Sequence, residues 1–259
     1  MMNSTDPVRE SRTREGEWAK PVSRLSVSGI PTGAINLNVD GRQLTGPLQG
    51  FGQMWQKTYR LRLVAPRDPM TGEAATPVSI IRVWKENFGR FWPRGNNFYA
   101  PLTSIAPGEV AVLNLSGPAR MPLSTGVLVI YADDESFSFM TPQGHMFAGM
   151  ITFNAYAAEE GTYAQVQVLI RASDPLYEFF FRIGFLAAQE DAFWKQTLRA
   201  LAEYLGAAGQ VDITASCVDP RWQWSQARNI WHNAAIRTAI YTMSAPFRWV
   251  RGRFKQNPV

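Results

Sequence analysis

Cysteine is almost absent from this chain: Cys217 is the only one among 259 residues. An internal disulfide is excluded, and a reducing cytoplasm is the compartment this composition leads one to expect. Histidine is nearly as scarce, with His145 and His232 far apart in sequence. No Cys/His cluster can build a structural zinc site. HExxH, a GxSxG elbow, a P-loop, and a GxGxxG between strand and helix are all missing. The sequence therefore assigns no catalytic residue, no metal and no cofactor. Long apolar runs are missing too. The longest, "GVLVIY" and "VQVLI", have the length of strands and fall far short of the roughly 20 residues of a membrane-spanning helix. The first 22 residues are polar and charged without an apolar core, so the expectation is a mobile arm and no secretory signal.

Surplus charge is also lacking over most of the chain. The net charge of +5 belongs to residues 210–259, where seven Arg and Lys side chains face Asp212 and Asp219 alone. The remaining body is neutral, which weighs against a nucleic-acid partner and confines any electrostatic attraction to the tail.

What is present is apolar material arranged with clear periods. Hydrophobic residues make up 46% of the chain, enough for a sizeable core. In "GQMWQKTYRLRL" Trp55, Tyr59, Leu61 and Leu63 share one side, with Lys57 the one misfit among them. Thr76-Pro77 is an N-cap and first-turn pair for a helix carrying Ile80, Ile81, Trp84 and Phe88 on one stripe. Several extended segments follow with short turns, the signature of an antiparallel meander. In its last strand Gln165, Gln167, Leu169 and Arg171 face one way, and Ala164, Val166, Val168 and Ile170 the other. Asp174-Pro175 then opens a long closing helix, whose stripe of Trp194, Leu198, Leu201 and Leu205 ends at Gly206 and Gly209. A further helix is predicted over "RWQWSQARNIWHNAAIRTAIYTM".

This order of elements resembles the helix-grip fold of the START-like, polyketide-cyclase-like superfamily, SRPBCC, and within it a bacterial family of unknown function. Two motifs carry the likeness: a Gly-His turn before a long hairpin, "TPQGHMFAGMITF", and a small-polar-Pro junction before the last helix, "RASDPLYEFFFRIG". It spans residues 48 to 208. The Pro-, Gly- and Asn-rich stretch at 90–107 and the basic tail lie outside the pattern. The resemblance implies an α+β fold, a curved antiparallel sheet wrapped around a long C-terminal helix with an apolar cavity between them. The expected organisation is a flexible arm at 1–45, a ligand-binding domain at 46–209 and a basic aromatic helical extension at 210–259.

The same resemblance implies a hydrophobic or amphipathic small-molecule partner of lipid, isoprenoid or polyketide-like kind. Binding is favoured over catalysis, with a cyclase- or hydrolase-type enzyme using the same cavity as the alternative. Large aromatics such as Trp55, Trp84, Phe88, Trp92, Phe139 and Phe153 are core residues first, and some of them must line whatever space the helix leaves. Candidate ligand contacts are Trp55, Trp84, His145, Phe153, Gln165, Gln167, Arg171 and Phe180. The Gln and Arg positions count only if their face of the strand turns inward; otherwise Arg171 pairs with an acid such as Glu178. Three consecutive phenylalanines, Phe179 to Phe181, spread around a helix, so the outermost needs cover, and the C-terminal extension is the expected source. Candidate contacts to an anionic membrane surface or a protein partner are Trp224, Arg228, Trp231, Arg237, Arg248, Trp249 and Arg251.

Overall fold

A computed structural model describes residues 17–27, 29, 32–99, 105–117 and 122–245. Among them are nine strands: β1 (Leu44–Thr45), β2 (Met54–Leu63), β3 (Asn97–Tyr99), β4 (Val110–Ser116), β5 (Pro122–Ala132), β6 (Ser136–Pro142), β7 (Phe147–Ala158), β8 (Gly161–Ala172) and β9 (Val211–Asp219). They form one sheet in the order β3-β4-β5-β6-β7-β8-β2-β9, with β1 paired to β6, and every pairing is antiparallel. Irregular register between Val129 and Tyr131, and between Met54 and Trp55, supplies the bends a curved sheet needs. The architecture is the α+β helix-grip expected from the sequence.

Helix α1 (Pro77–Glu86) starts as its cap residues dictate, the Thr76 hydroxyl accepting from the Ser79 amide at 3.2 Å. Its apolar stripe drives Trp84 edge-on against Phe137 and Phe153, the most buried part of the core. Asp174 likewise caps α2 (Pro175–Arg182), accepting from the Leu176 and Tyr177 amides at 2.9 and 3.1 Å. The closing helix is not continuous. Gly184 takes a left-handed φ of +81°, which ends α2 and starts α3 (Phe185–Tyr204) in a new direction. Leu198, Leu201 and Leu205 are buried against the concave sheet, as their spacing predicts.

The three phenylalanines divide at this corner. Phe181 reaches Trp55 and Phe147, with ring centroids 6.4 and 5.9 Å apart, and Phe180 is half-buried against Phe179 and Phe185. Phe179 stays 57% exposed, so no described residue of the C-terminal segment supplies the expected cover. That segment does something else. Residues 211–219, expected to open a helical extension, form β9 at the sheet edge beside β2. A 3-10 turn (Trp224–His232) follows instead of an α-helix, and Asn233 caps α4 (Ala234–Met243).

Helix α4 lies on the outer face of β5, where Thr238 accepts from the Ser124 amide at 3.2 Å. Described residues of the stretch expected as an arm cover the same outer face: Leu25 and Val39 pack on Val112 and Leu128. Asn38 bonds Ser124 and Thr238. β5 is therefore buried on both faces over Leu123–Val129.

Candidate functional site

The concave face carries more apolar surface than α1 and α3 together fill. A cavity of about 340 Å³ remains between the middle of the sheet and α3, within the range of small-molecule sites, about 300–1,000 Å³. Its floor comes from alternate residues of five strands, among them Leu113, Val127, Phe139, Ile151 and Val168. Its roof is the stripe Leu186, Glu190, Phe193 and Trp194 of α3, spaced at helical intervals. Phe88, Trp92 and Phe98, packed edge to face on one another, complete the lining. Exposed Gln189, Ala192 and Gln196 lie along the rim on α3.

Two titratable side chains stand on this apolar wall. His145 is held in the β6–β7 turn, its Nδ1 3.0 Å from both the amide nitrogen and the carbonyl oxygen of Phe147. Burial lowers its pKa to about 4, against the raising effect of that backbone bond, so the imidazole is neutral at neutral pH. The turn itself is clamped. Gly144 has φ +91° and its carbonyl accepts from Ala234 at 2.9 Å, while a Cβ on Gly144 would lie 2.0 Å from the His232 carbonyl oxygen. The glycine of the Gly-His pair is required by this approach of the C-terminal segment.

Glu190 is the second. Its Oε2 accepts from Lys57 Nζ at 2.9 Å, and both side chains are only 6% exposed. Lys57 also donates to Asp191 Oδ1 at 2.9 Å, and Asp191 accepts from the Tyr59 hydroxyl at 2.7 Å. Burial raises the Glu190 pKa to about 7, with Lys57 opposing and Asp191 adding to the rise. Burial alone would lower Lys57, but the two carboxylates outweigh it and leave its pKa raised. Burial also pushes the Tyr59 phenol up, and both carboxylates add to it. The misfit lysine of β2 is thus the cation that permits a carboxylate on the cavity wall.

Of the eight residues expected at the ligand, His145 lines the cavity. Trp84 and Phe153 belong to the filled core beside it. Trp55 and Phe180 sit at the α2 corner. Gln165, Gln167 and Arg171 are on the opposite face, because Val168 and Ile170 of the same strand point inward. Gln165 accepts from Arg60 at 3.2 Å. Arg171 pairs with Asp219, not with Glu178, which pairs with Arg182. Among the aromatics expected to share core and cavity, Phe88, Trp92 and Phe139 line it.

In the C-terminal segment Trp224 and Trp231 are 68% and 79% exposed, and Arg228 is exposed between them. Arg237 is taken up by Asn38 at 2.9 Å. Arg248, Trp249 and Arg251 lie outside the described residues. Among the described residues no helix is long and apolar enough to cross a membrane.

Together, fold and site define an α+β helix-grip protein with an apolar cavity under its long helix. The sequence matches no protein-family model and no curated protein sequence. Solved structures similar to it include a protein from Nitrosomonas europaea, at 13% identity over 58% of this chain and 94% of that one, TM-score 0.39. Another is the di-domain ARO/CYC StfQ from the steffimycin biosynthetic pathway, at 9% identity and TM-score 0.42. That match covers 60% of this chain and about half, 51%, of StfQ. A third is Ara h 8.0201, at 10% identity over 58% and 97% of the two chains, TM-score 0.39. The fold assignment rests on strand order and helix placement in the chain itself.

Proposed function

We propose that this protein is a cytoplasmic member of the SRPBCC superfamily that binds a hydrophobic or amphipathic small molecule, of lipid, isoprenoid or polyketide-like kind, between sheet and α3. The observation that carries this reading is a cavity of about 340 Å³ whose wall is aromatic and aliphatic except at a few polar points. A largely apolar ligand there removes surface from water on both partners, and the few polar points are what would fix its orientation.

The test combines native mass spectrometry of protein from its own host with titration of the neutral fluorophore N-phenyl-1-naphthylamine. A co-purifying apolar species and saturable one-to-one binding are expected. Val127→Trp, which projects an indole from β5 into the cavity, should weaken fluorophore binding by about tenfold while the fold persists. Undiminished binding in that variant, with no co-purifying species, counts against the cavity as the site.

A second reading attaches to the tail. Trp224 and Trp231, with Arg228 between them in sequence, are exposed aromatic and basic side chains of the kind that rest on an anionic bilayer. The protein should co-sediment with vesicles containing phosphatidylglycerol and not with pure phosphatidylcholine. Trp224→Ala combined with Trp231→Ala should reduce that co-sedimentation; equal binding to both vesicles, or no change in the variant, removes the reading.

A further inference from the structure

Glu190 is an anomaly in its own helix. Leu186, Phe193 and Trp194 flank it on the stripe of α3 that roofs the cavity, yet position 190 carries a carboxylate. Stability alone does not call for it there. Lys57 already has Asp191 at 2.9 Å, and Asp191 is further held by Tyr59 at 2.7 Å. One carboxylate suffices to pair the lysine, and burying a second beside it costs desolvation that an apolar side chain would avoid. Lys57 engages only Oε2 of Glu190; among the described residues Oε1 accepts no hydrogen bond. A carboxylate oxygen on an apolar wall is costly until something donates to it.

We infer that Glu190 is the polar anchor of the cavity, its free oxygen accepting a hydrogen bond from a hydroxyl group on an otherwise apolar ligand. This deepens the cavity-binding reading and rests on it. The chemistry follows from the donor set. Lys57 fixes the carboxylate from the sheet side, so the group is held in place before the ligand arrives, which spares the ligand the ordering cost. Lys57 and the carboxylate together also discriminate: a hydroxyl in that position is accepted, whereas a methyl group of the same size leaves the oxygen unpaired. Discrimination of this sort, by a buried polar group against an analogue lacking its partner, is the strong kind. The ligand class narrows from any apolar molecule to phenols and alcohols with a compact apolar body.

The experiment, run above pH 8 so that Glu190 is ionised, compares 2-naphthol with 2-methylnaphthalene, two ligands of nearly the same shape, by displacement of N-phenyl-1-naphthylamine. Wild-type protein should prefer the naphthol by about tenfold. Glu190→Leu combined with Lys57→Met removes both charges while Asp191 keeps Tyr59, and such replacement of a buried pair is commonly tolerated. In that variant the preference should fall to near unity with 2-methylnaphthalene still displacing the reporter. Glu190→Gln, which retains Lys57 and Asp191 as a pair, should lower the preference in the same direction. Equal affinity of the two ligands for wild type, or a preference unchanged in both variants, overturns the anchor. Failure of the reporter and of both ligands to bind wild type overturns the cavity-binding reading itself, a different result.

Discussion

Replacing Arg171 by methionine is expected to lower the unfolding free energy by about 3 kcal/mol. The guanidinium is fully enclosed, with no side-chain surface exposed, and none of it faces the cavity. Its NH1 donates to the carbonyls of Gly52 and Arg221, and its NH2 to the carboxylate of Asp219. Those partners belong to the turn before β2 and to the end of β9 and its continuation, so one side chain of β8 ties three segments together. Bonds from Arg221, joined by Arg171, hold the Asp219 carboxyl well below the usual carboxylate range. Methionine fills much of the volume but leaves the Gly52 carbonyl without its donor, the costly half of a broken hydrogen bond. Lysine offers a point charge where a planar fork is used, so Arg171→Lys should recover only part of the loss. Urea denaturation gives the free energy. Hydrogen exchange gives the location: among the described residues β9 pairs only with β2, so amides of 211–219 should lose protection before those of β7 and β8. A loss below about 1 kcal/mol, or protection reduced evenly across the sheet, would show that Arg171 is no staple.

Arg171 also shows where sequence reasoning reached its limit. Alternation along β8 separates Ala164, Val166, Val168 and Ile170 from Gln165, Gln167 and Arg171, and the structure keeps that division. Which face turns inward depends on which one α3 covers, and no local pattern states that. Burial would not have decided it either, since the outer face is itself covered where the C-terminal segment returns across it. β9 makes the same point. Val211, Ile213, Ala215 and Cys217 alternate with Asp212, Thr214 and Ser216, a legible strand. Its partner β2, however, lies some 150 residues earlier, and that pairing is a long-range fact. Local chemistry was readable where it acts locally: Thr76 and Asp174 cap the helices that follow them. Gly184 was readable as a glycine but not as a break, because the apolar positions on either side of it still fit a helix. The cavity anchor had a visible trace in Lys57, the one charge among the inward positions of β2. Its partner Glu190 was hidden among the charges Asp191, Lys195, Arg199 and Glu203, a polar face until the sheet is laid against it.

The two titratable groups on the cavity wall should leave opposite marks on stability as pH changes. Burial raises Glu190 from 4.5 to about 7, so its protonated form is favoured by folding. Its contribution is fully present below pH 4.5 and is lost as pH rises through 7. Burial lowers His145 from 6.5 to about 4, so its neutral form is favoured by folding. Its contribution is present above pH 6.5 and is lost as pH falls through 4. Each shift corresponds to about 3 kcal/mol over its window, and between pH 4.5 and 6.5 the two oppose each other. Wild-type stability alone hides both. Measured as a difference from wild type by urea unfolding, Glu190→Gln should become relatively more stable by about 3 kcal/mol from pH 4.5 to 7.5. His145→Asn, whose amide oxygen can replace Nδ1 as acceptor for Phe147, should become relatively more stable as pH falls from 6.5 to 4. Other shifted groups, including Asp174, Glu178 and Asp219, are common to every curve and cancel in the differences. The double variant should track wild type in slope between pH 4.5 and 6.5, because removing two opposed terms changes nothing there but the offset. Parallel curves for the single variants would mean that the wall is wet enough for both groups to titrate normally, and a wall that wet could not select a hydroxyl from a methyl group.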